Sequence, residues 1–302
     1  TGQLALRGDE VGRSPSFSAA SLDGPTQVEV LLVVQSGGQQ AASIATIDVL
    51  NVAPTVAVES VIDETGAEVG VDVPVALVGL NLEIEFVYSD SGVLDTHTAL
   101  VDWGDGTQTD LGAIAGGSGS TTHAFMLPGD HEIAVVVTDD DGGIGEAIRA
   151  VRVVDPAGAV GSVVEALDAL PPDLHIDAAL DKLRGDNNGA DANGAVDLLH
   201  KENGNAALNK LSQAVALLEE AEENDPSLDL ADLEALLALV AKAVAVDAVN
   251  DAANVASKPS EFGKVADAQG LILQGDAALA GTKYVPAIDL YQEAVRKVTS
   301  IG

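Results

Sequence analysis

The chain has no cysteine, few aromatic residues and little positive charge. With no Cys among 302 residues, disulfides, zinc–thiolate sites, iron–sulfur clusters and thiol nucleophiles are excluded. Aromatics make up 3% of the chain against 47% hydrophobic residues overall, so any core is built mainly from Ala, Val, Leu and Ile. Only 14 Lys and Arg oppose 48 Asp and Glu, a net charge of −34. That charge repels phosphate backbones and anionic headgroups, so neither nucleic acid nor a membrane surface is expected as a direct partner. No run approaches the roughly 18 uninterrupted apolar residues of a membrane span, so no direct membrane insertion is expected. No N-x-[ST] sequon occurs either. What remains is an acidic protein whose carboxylates must be hydrated, screened or bound to cations.

The length suggests two or three domains, each large enough to bury a core. The first residue is Thr1, with no charged-then-apolar leader, which reads as a mature product after cleavage or as a segment of something longer. The pattern changes near Asp155. Up to about Gly158 it alternates, is rich in Val, Ile and Thr, and is punctuated by Gly, Asp and Pro turns. Beyond it, Ala and Leu recur at helical spacing. Residues 1–158 carry four Arg and no Lys against 24 acids, a net −20, and residues 159–302 ten Lys and Arg against 24 acids, a net −14. The fold class expected is therefore α+β in separate domains, a β-sandwich followed by an α-helical bundle.

The β half repeats itself. Gly24–Gly38 (GPTQVEVLLVVQSGG) aligns with Gly129–Gly143 (GDHEIAVVVTDDDGG), and each returns as a strand, Ile44–Leu50 and Arg149–Val154. Strand, glycine turn, strand predicts a hairpin with valines on alternate positions facing a core. Further strands are expected at Thr55–Ser60, Val73–Leu77, Leu82–Tyr88, Thr98–Trp103 and Glu132–Val137, enough to close a sandwich around the second copy. The first copy has only its final half, and two or three strands leave open edges. Such a half-unit is completed by upstream strands of a longer chain, by another chain, or by the helical part of its own.

Helices are expected at Val160–Leu170, Ile176–Leu183, Gly194–His200, Ala206–Glu222, Ala231–Ala253, Glu261–Leu279 and Val285–Val298. Asp229, the pair Pro259–Ser260, and Gly281 serve as boundary signals. Ala207, Leu208, Leu211, Val215 and Leu218 fall on one stripe, the patterning of an antiparallel bundle.

Several motifs resemble a known family. The linker NVAPTV (Asn51–Val56), SDSGVLDTHTALVDWGDGT (Ser89–Thr107), HAFMLPGDHEIAVVVTDDDGG (His123–Gly143) and AVRVV (Ala150–Val154) together resemble a PKD-type immunoglobulin-like domain over about residues 52–155. Residues 1–51 resemble the C-terminal half of the same domain, without the WGDG and DDDGG turns. The resemblance implies a non-catalytic sandwich of cell-surface or secreted arrays, with Trp103 as core plug. In the α half, residues 159–302, GNAALNKLSQAVALLEE (Gly204–Glu220) and LADLEALLALVAKAV (Leu230–Val244) resemble the small helical FIMAH-type module of secreted bacterial surface proteins.

Three acidic constellations are candidate Ca²⁺ sites, because grouped hard oxygen ligands are what that ion requires. One is Asp90 with Asp95, expected near the strand end that bears Asp105. Another is the turn from Asp139 to Asp141. The third is the loop holding Asp186, Asn188, Asp191, Asn193 and Asp197, although no EF-hand register fits, since Gly189 and His200 stand where acids are needed. Turn geometry and solvation are the plain alternatives for all three. His97, His123, His131, His175 and His200 form no HExxH or paired-ligand spacing, and no GxSxG or P-loop occurs, so no enzyme is expected. Gly116–Ser120 (GGSGS) reads as a flexible loop tip.

The function expected is an extracellular structural protein of a prokaryotic surface, a filament, surface-layer or stalk subunit. It would self-associate into a homopolymer by inter-subunit β complementation, with Ca²⁺ offsetting charge repulsion. Other surface proteins or glycans are further partners to consider. The alternative is a non-catalytic spacer or binding module of a larger secreted adhesin or enzyme.

Overall fold

In the computed structural model, residues 22–64, 75–185 and 193–301 are described. The strands are β1 (Thr26–Ser36), β2 (Gln39–Val49), β3 (Thr55–Ile62), β4 (Val75–Leu77), β5 (Asn81–Ser89), β6 (His97–Asp102), β7 (Gln108–Ile114), β8 (Ser118–Ala124), β9 (Gly129–Asp139) and β10 (Ile144–Val154). The helices are α1 (Pro156–Asp168), α2 (Leu174–Arg184), α3 (Ala195–His200), α4 (Gly204–Asn224), α5 (Ala231–Val255), α6 (Pro259–Ala280) and α7 (Tyr284–Val298). The hydrogen-bonded orders are β4-β10-β9-β6-β7 and β3-β5-β8, with β1-β2 standing as a sheet of two. The fold is a β-sandwich followed by a helical region.

β7 and β8 were not legible in the sequence. Gly116 and Gly117 take positive φ at the turn between them, and Ser118 begins a strand rather than prolonging a flexible tip. The strands QTDLGAI and SGSTTHA carry no clean apolar alternation, because each is the last strand of its sheet and buries little. Val73 and Pro74, expected to begin a strand, lie outside the described residues.

The chain changes from strand to helix at Asp155, whose carboxylate caps α1 by accepting from Gly158 N at 2.6 Å. Compactness divides the chain elsewhere. One unit comprises residues up to Ser60 with Ile84–Thr121 and Glu132–Arg149, and the other comprises Val61–Glu83, Thr122–His131 and Ala150 onward.

In the first unit, Ile84, Phe86, Val101, Trp103, Val135 and Val137 are fully buried. Trp103 donates from Nε1 to Thr109 Oγ1 at 2.9 Å, which satisfies the one polar atom that the ring carries inside. The turn after it needs Gly104. Its φ is +72°, and a Cβ there would meet Glu132 O at 2.6 Å.

In the second unit, Leu77 and Leu80 join the helices in one core with Val163, Leu180, Leu211, Val240 and Ile288. Frequent alanines such as Ala179, Ala214 and Ala241 let the helix backbones approach. α5 begins at Ala231 with Leu230 at the cap position and no side-chain bond, so Asp229 is not the cap. The Leu230 amide donates instead to Glu222 Oε1 at 2.5 Å. At α6, Pro259 enters the first turn as expected, and Glu261 reaches back to accept from Ser257 N and Lys258 N.

Ionisable groups lie among the helices, Lys242 largely buried and Tyr291 and Glu234 fully so. Lys242 pairs with Glu64 at 2.5 Å and Asp276 at 2.9 Å, and Tyr291 donates to Asp276 at 2.7 Å. Burial disfavours the ammonium, but the two carboxylates outweigh it and hold the lysine pKa above its usual value. Glu234, in the first turn of α5, is 2% exposed, and its Oε1 has no hydrogen-bond partner. Burial, reinforced by the charges of Glu222 and Glu219, pushes its carboxyl up to about 7.

The folded state therefore keeps this proton to higher pH than the unfolded chain does. Stability from Glu234 is complete below the ordinary glutamate pKa of 4.5 and is lost as pH rises through about 7. At pH 8 the ionised carboxylate should cost about 3 kcal/mol. Glu234→Gln should remove most of that slope, so that the variant gains on the wild type at pH 8 and not at pH 4. Urea unfolding followed by helical circular dichroism at both pH values checks this; parallel pH profiles would refute it.

Candidate metal centre

The strand pairing that builds the first unit also gathers its acids. β6 and β9 pair antiparallel with His97 opposite Asp139. The loop of Asp90 and Asp95, which feeds β6, therefore meets the turn of Asp139 to Asp141, which ends β9. Asp90, Asp95 and Asp139 each present a carboxylate oxygen within 4.8 Å of one another, and so do Asp23, Asp95 and Asp141. Two constellations separate in the sequence are one centre in space, with Asp95 common to both triplets.

Two of the carboxylates, Asp90 and Asp139, are fixed from behind. Asp90 accepts from Gly92 N at 2.9 Å and sits 3.0 Å from His97 Nε2. Its side chain is only 3% exposed. Asp139 accepts from Asn51 Nδ2 at 2.8 Å, Gly143 N at 2.7 Å and Asp141 N at 3.0 Å. Burial would raise the Asp139 pKa, but these donors outweigh it and hold the carboxyl below the usual range.

Asp95 is the opposite case. Burial, a hydrogen bond shared with Asp23 and the charges of Asp90, Asp23 and Asp139 push it up to about 6, and its Oδ2 is buried with no hydrogen-bond partner. Burial and the neighbouring Asp23, Asp140 and Asp139 raise Asp141 as well. Gly143 is required here, since a Cβ would strike both Asp139 and the Asn51 amide. An all-oxygen set of this kind suits a hard cation and not a thiophilic one.

Asp23 and Asn51 were missed in the sequence. They flank the first hairpin, and only its register joins them. Thr26 pairs with Val49, which brings residues 23 and 51 to the same root. The other candidates lie elsewhere. The loop before β6 and the WGDG turn after it stand at opposite ends of a six-residue strand, about 17 Å apart. Asp105 is therefore not beside Asp90 and Asp95. It closes its own turn by accepting from Thr107 N at 2.9 Å and Thr107 Oγ1 at 2.6 Å. Asn193 accepts from the Lys201 ammonium, and Asp197 lies in the first turn of α3. Asp186, Asn188 and Asp191 fall outside the described residues. Of the histidines, His97 serves Asp90, while His123 and His131 lie against the Phe125 ring. His175 stands 3.2 Å from Glu220.

The hairpin rooted at this centre is unusual. β1 and β2 pair over eleven residues each. Residues 30–47 contain no charged side chain. Only Val28 is buried, and the apolar run beyond it lies open, with Leu31 59%, Leu32 53%, Val34 54% and Ile44 63% exposed. Of the valines expected to face a core, only Val28 does so among the described residues. The related hairpin β9–β10 shows the contrast, with Ile133, Val135 and Val137 fully buried.

No family model and no curated protein sequence matches the chain. Among solved structures, the PKD domain of an M14-like peptidase from a Thermoplasmatales archaeon is 18% identical, with 33% of this chain and 92% of that one covered and a TM-score of 0.26. The PKD1 domain of Vibrio anguillarum Epp is 20% identical, with 35% and 99% covered and a TM-score of 0.24. A fibronectin(III)-like module structure of Clostridium thermocellum CbhA is 24% identical, with 41% and 60% covered and a TM-score of 0.25. Each likeness covers well under half of the chain and says nothing of ligands or partners. The FIMAH resemblance has no counterpart among these three.

Proposed function

We propose that this chain is a non-catalytic structural module of an extracellular, prokaryotic surface protein that self-associates through its N-terminal hairpin, with Ca²⁺ at the hairpin's root. One observation carries the reading: an exposed two-stranded ribbon with 18 consecutive uncharged residues in a chain of net charge −34. Natural sheets protect open edges with charge, bulges or covering elements, and an isolated hairpin is marginal in water. Between Glu29 and Asp48 this ribbon carries no charge, and among the described residues its outer edges are unpaired, so a further chain completes it. No helix among the described residues is long and apolar enough to cross a membrane.

The cation has a defined part in this reading. Asp23 comes from the hairpin root, Asp90 and Asp95 from the loop before β6, and Asp139 and Asp141 from the turn after β9. An ion held by all three segments would fix the ribbon's direction and neutralise carboxylates that otherwise repel. Light scattering and negative-stain electron microscopy in calcium and in chelator test the association. Higher-order species in calcium that shrink in chelator are expected, and monomer in both at high concentration would sink the reading.

The centre has its own test. Calcium at about 1 mM, the affinity range of extracellular modules, should raise the melting temperature of the sandwich by several degrees. Asp95→Asn should weaken calcium binding at least tenfold in calorimetric titration, and an unchanged isotherm would remove Asp95 from the site. The PKD-type motifs also fit a spacer or binding module of a larger secreted adhesin or enzyme. That reading predicts a monomer at every calcium concentration.

A further inference from the structure

The register of the hairpin sorts its side chains onto two faces, since residues paired across antiparallel strands project to the same side. One face carries Val30, Leu32 and Val34 opposite Ala45, Ser43 and Ala41, and the other carries Leu31 and Val33 opposite Ile44 and Ala42. A strand covered on one face alternates apolar with polar, whereas a strand buried on both faces reads as a continuous apolar run. Val30–Val34 (VLLVV) is such a run, and its residues are between 38% and 59% exposed. Beyond Val28 both faces are apolar, and neither is covered among the described residues.

From this we infer that each hairpin is an inner layer, stacked on both faces by the hairpins of two further copies of this chain. This rests on the self-association proposed above and adds its valence. The choice of a second copy follows from charge. A basic partner would find 48 acids elsewhere on the chain and none in residues 30–47. An apolar, uncharged ribbon matches another of its kind, and stacking here brings no carboxylates together. Contact through one face would stop at a dimer, whereas contact through two faces that do not close into a ring gives open-ended growth.

Sedimentation velocity in calcium on the full chain and two double variants tests the valence. Leu32→Glu with Val34→Glu charges one face, and Leu31→Glu with Val33→Glu the other. All four positions are exposed, so the sandwich should stay folded, as unchanged Trp103 fluorescence would report. The wild type should form large species. Neither variant, alone or mixed in equal amounts, should grow past a dimer, and dimers should persist in at least one of these samples. If one variant assembles like the wild type, or every variant sample including the mixture is monomeric, the two-faced stack is overturned while self-association stands. If the wild type is itself monomeric, the underlying reading fails.

Discussion

Lys242→Met is expected to lower the stability of the helical unit by about 3–5 kcal/mol, the cost of removing one partner from a buried ion pair. Methionine keeps most of the lysine stem, so the loss is not one of packing. It comes from the two carboxylates left behind. Glu64 and Asp276 both contact the ammonium, and the lysine side chain is 11% exposed. Glu64 also accepts the Asn81 amide at 2.8 Å, and Asp276 accepts the Tyr291 hydroxyl, so neither can turn away without breaking a second bond.

Neutralising both acids alongside the lysine should recover most of the loss, because uncharged groups of similar shape need no counter-ion. Far-UV circular dichroism during urea unfolding follows this unit, which holds all seven helices of the described residues. Equal destabilisation of Lys242→Met and of the triple variant Lys242→Met, Glu64→Gln, Asp276→Asn would show that the cation does nothing beyond filling space.

Trp103→Ala should cost the sandwich about 3–5 kcal/mol, the range for deleting a large buried aromatic. Against a total stability of roughly 5–15 kcal/mol for a domain, much of the sandwich population would unfold. Trp103 is fully buried, and its indole bond to Thr109 is lost with it. The replacement leaves a cavity beside Gly104, whose backbone packs closely on that of Glu132. Trp103→Phe fills part of the space and should lose less than half as much. Differential scanning calorimetry resolves this, because the sandwich transition should move while the helical one stays. A single transition that moves as a whole would mean that the chain unfolds as one cooperative body.

The helices were legible in the sequence because their signals are local. Apolar spacing, Pro259 at the start of α6 and Gly281 after it act within a turn or two, and the seven expected helices lie within a few residues of expectation. The one misplaced signal, Asp229, shows the limit. A tertiary bond from Glu222 to the Leu230 amide does the work that a local cap would have done. β7 and β8 escaped because edge strands need no apolar alternation. Glu234 gave no sign of its burial, since α5 is packed on most sides and the sequence shows no polar face from which to judge.

The sequence alone determined the acidic character, the strand-to-helix order, the hairpin repeat and the identity of the carboxylates in loops. Tertiary structure decided what those features became. Pairing of His97 with Asp139 joined Asp90 and Asp95 to a turn more than 40 residues away, and the hairpin register added Asp23 and Asn51. The same kind of apolar hairpin is buried on one face at β9–β10 and, among the described residues, exposed beyond Val28 at β1–β2. A strand's residues record that it wants covering, but whether a layer lies over it depends on contacts between segments distant in the chain, and those exist only once the chain is folded.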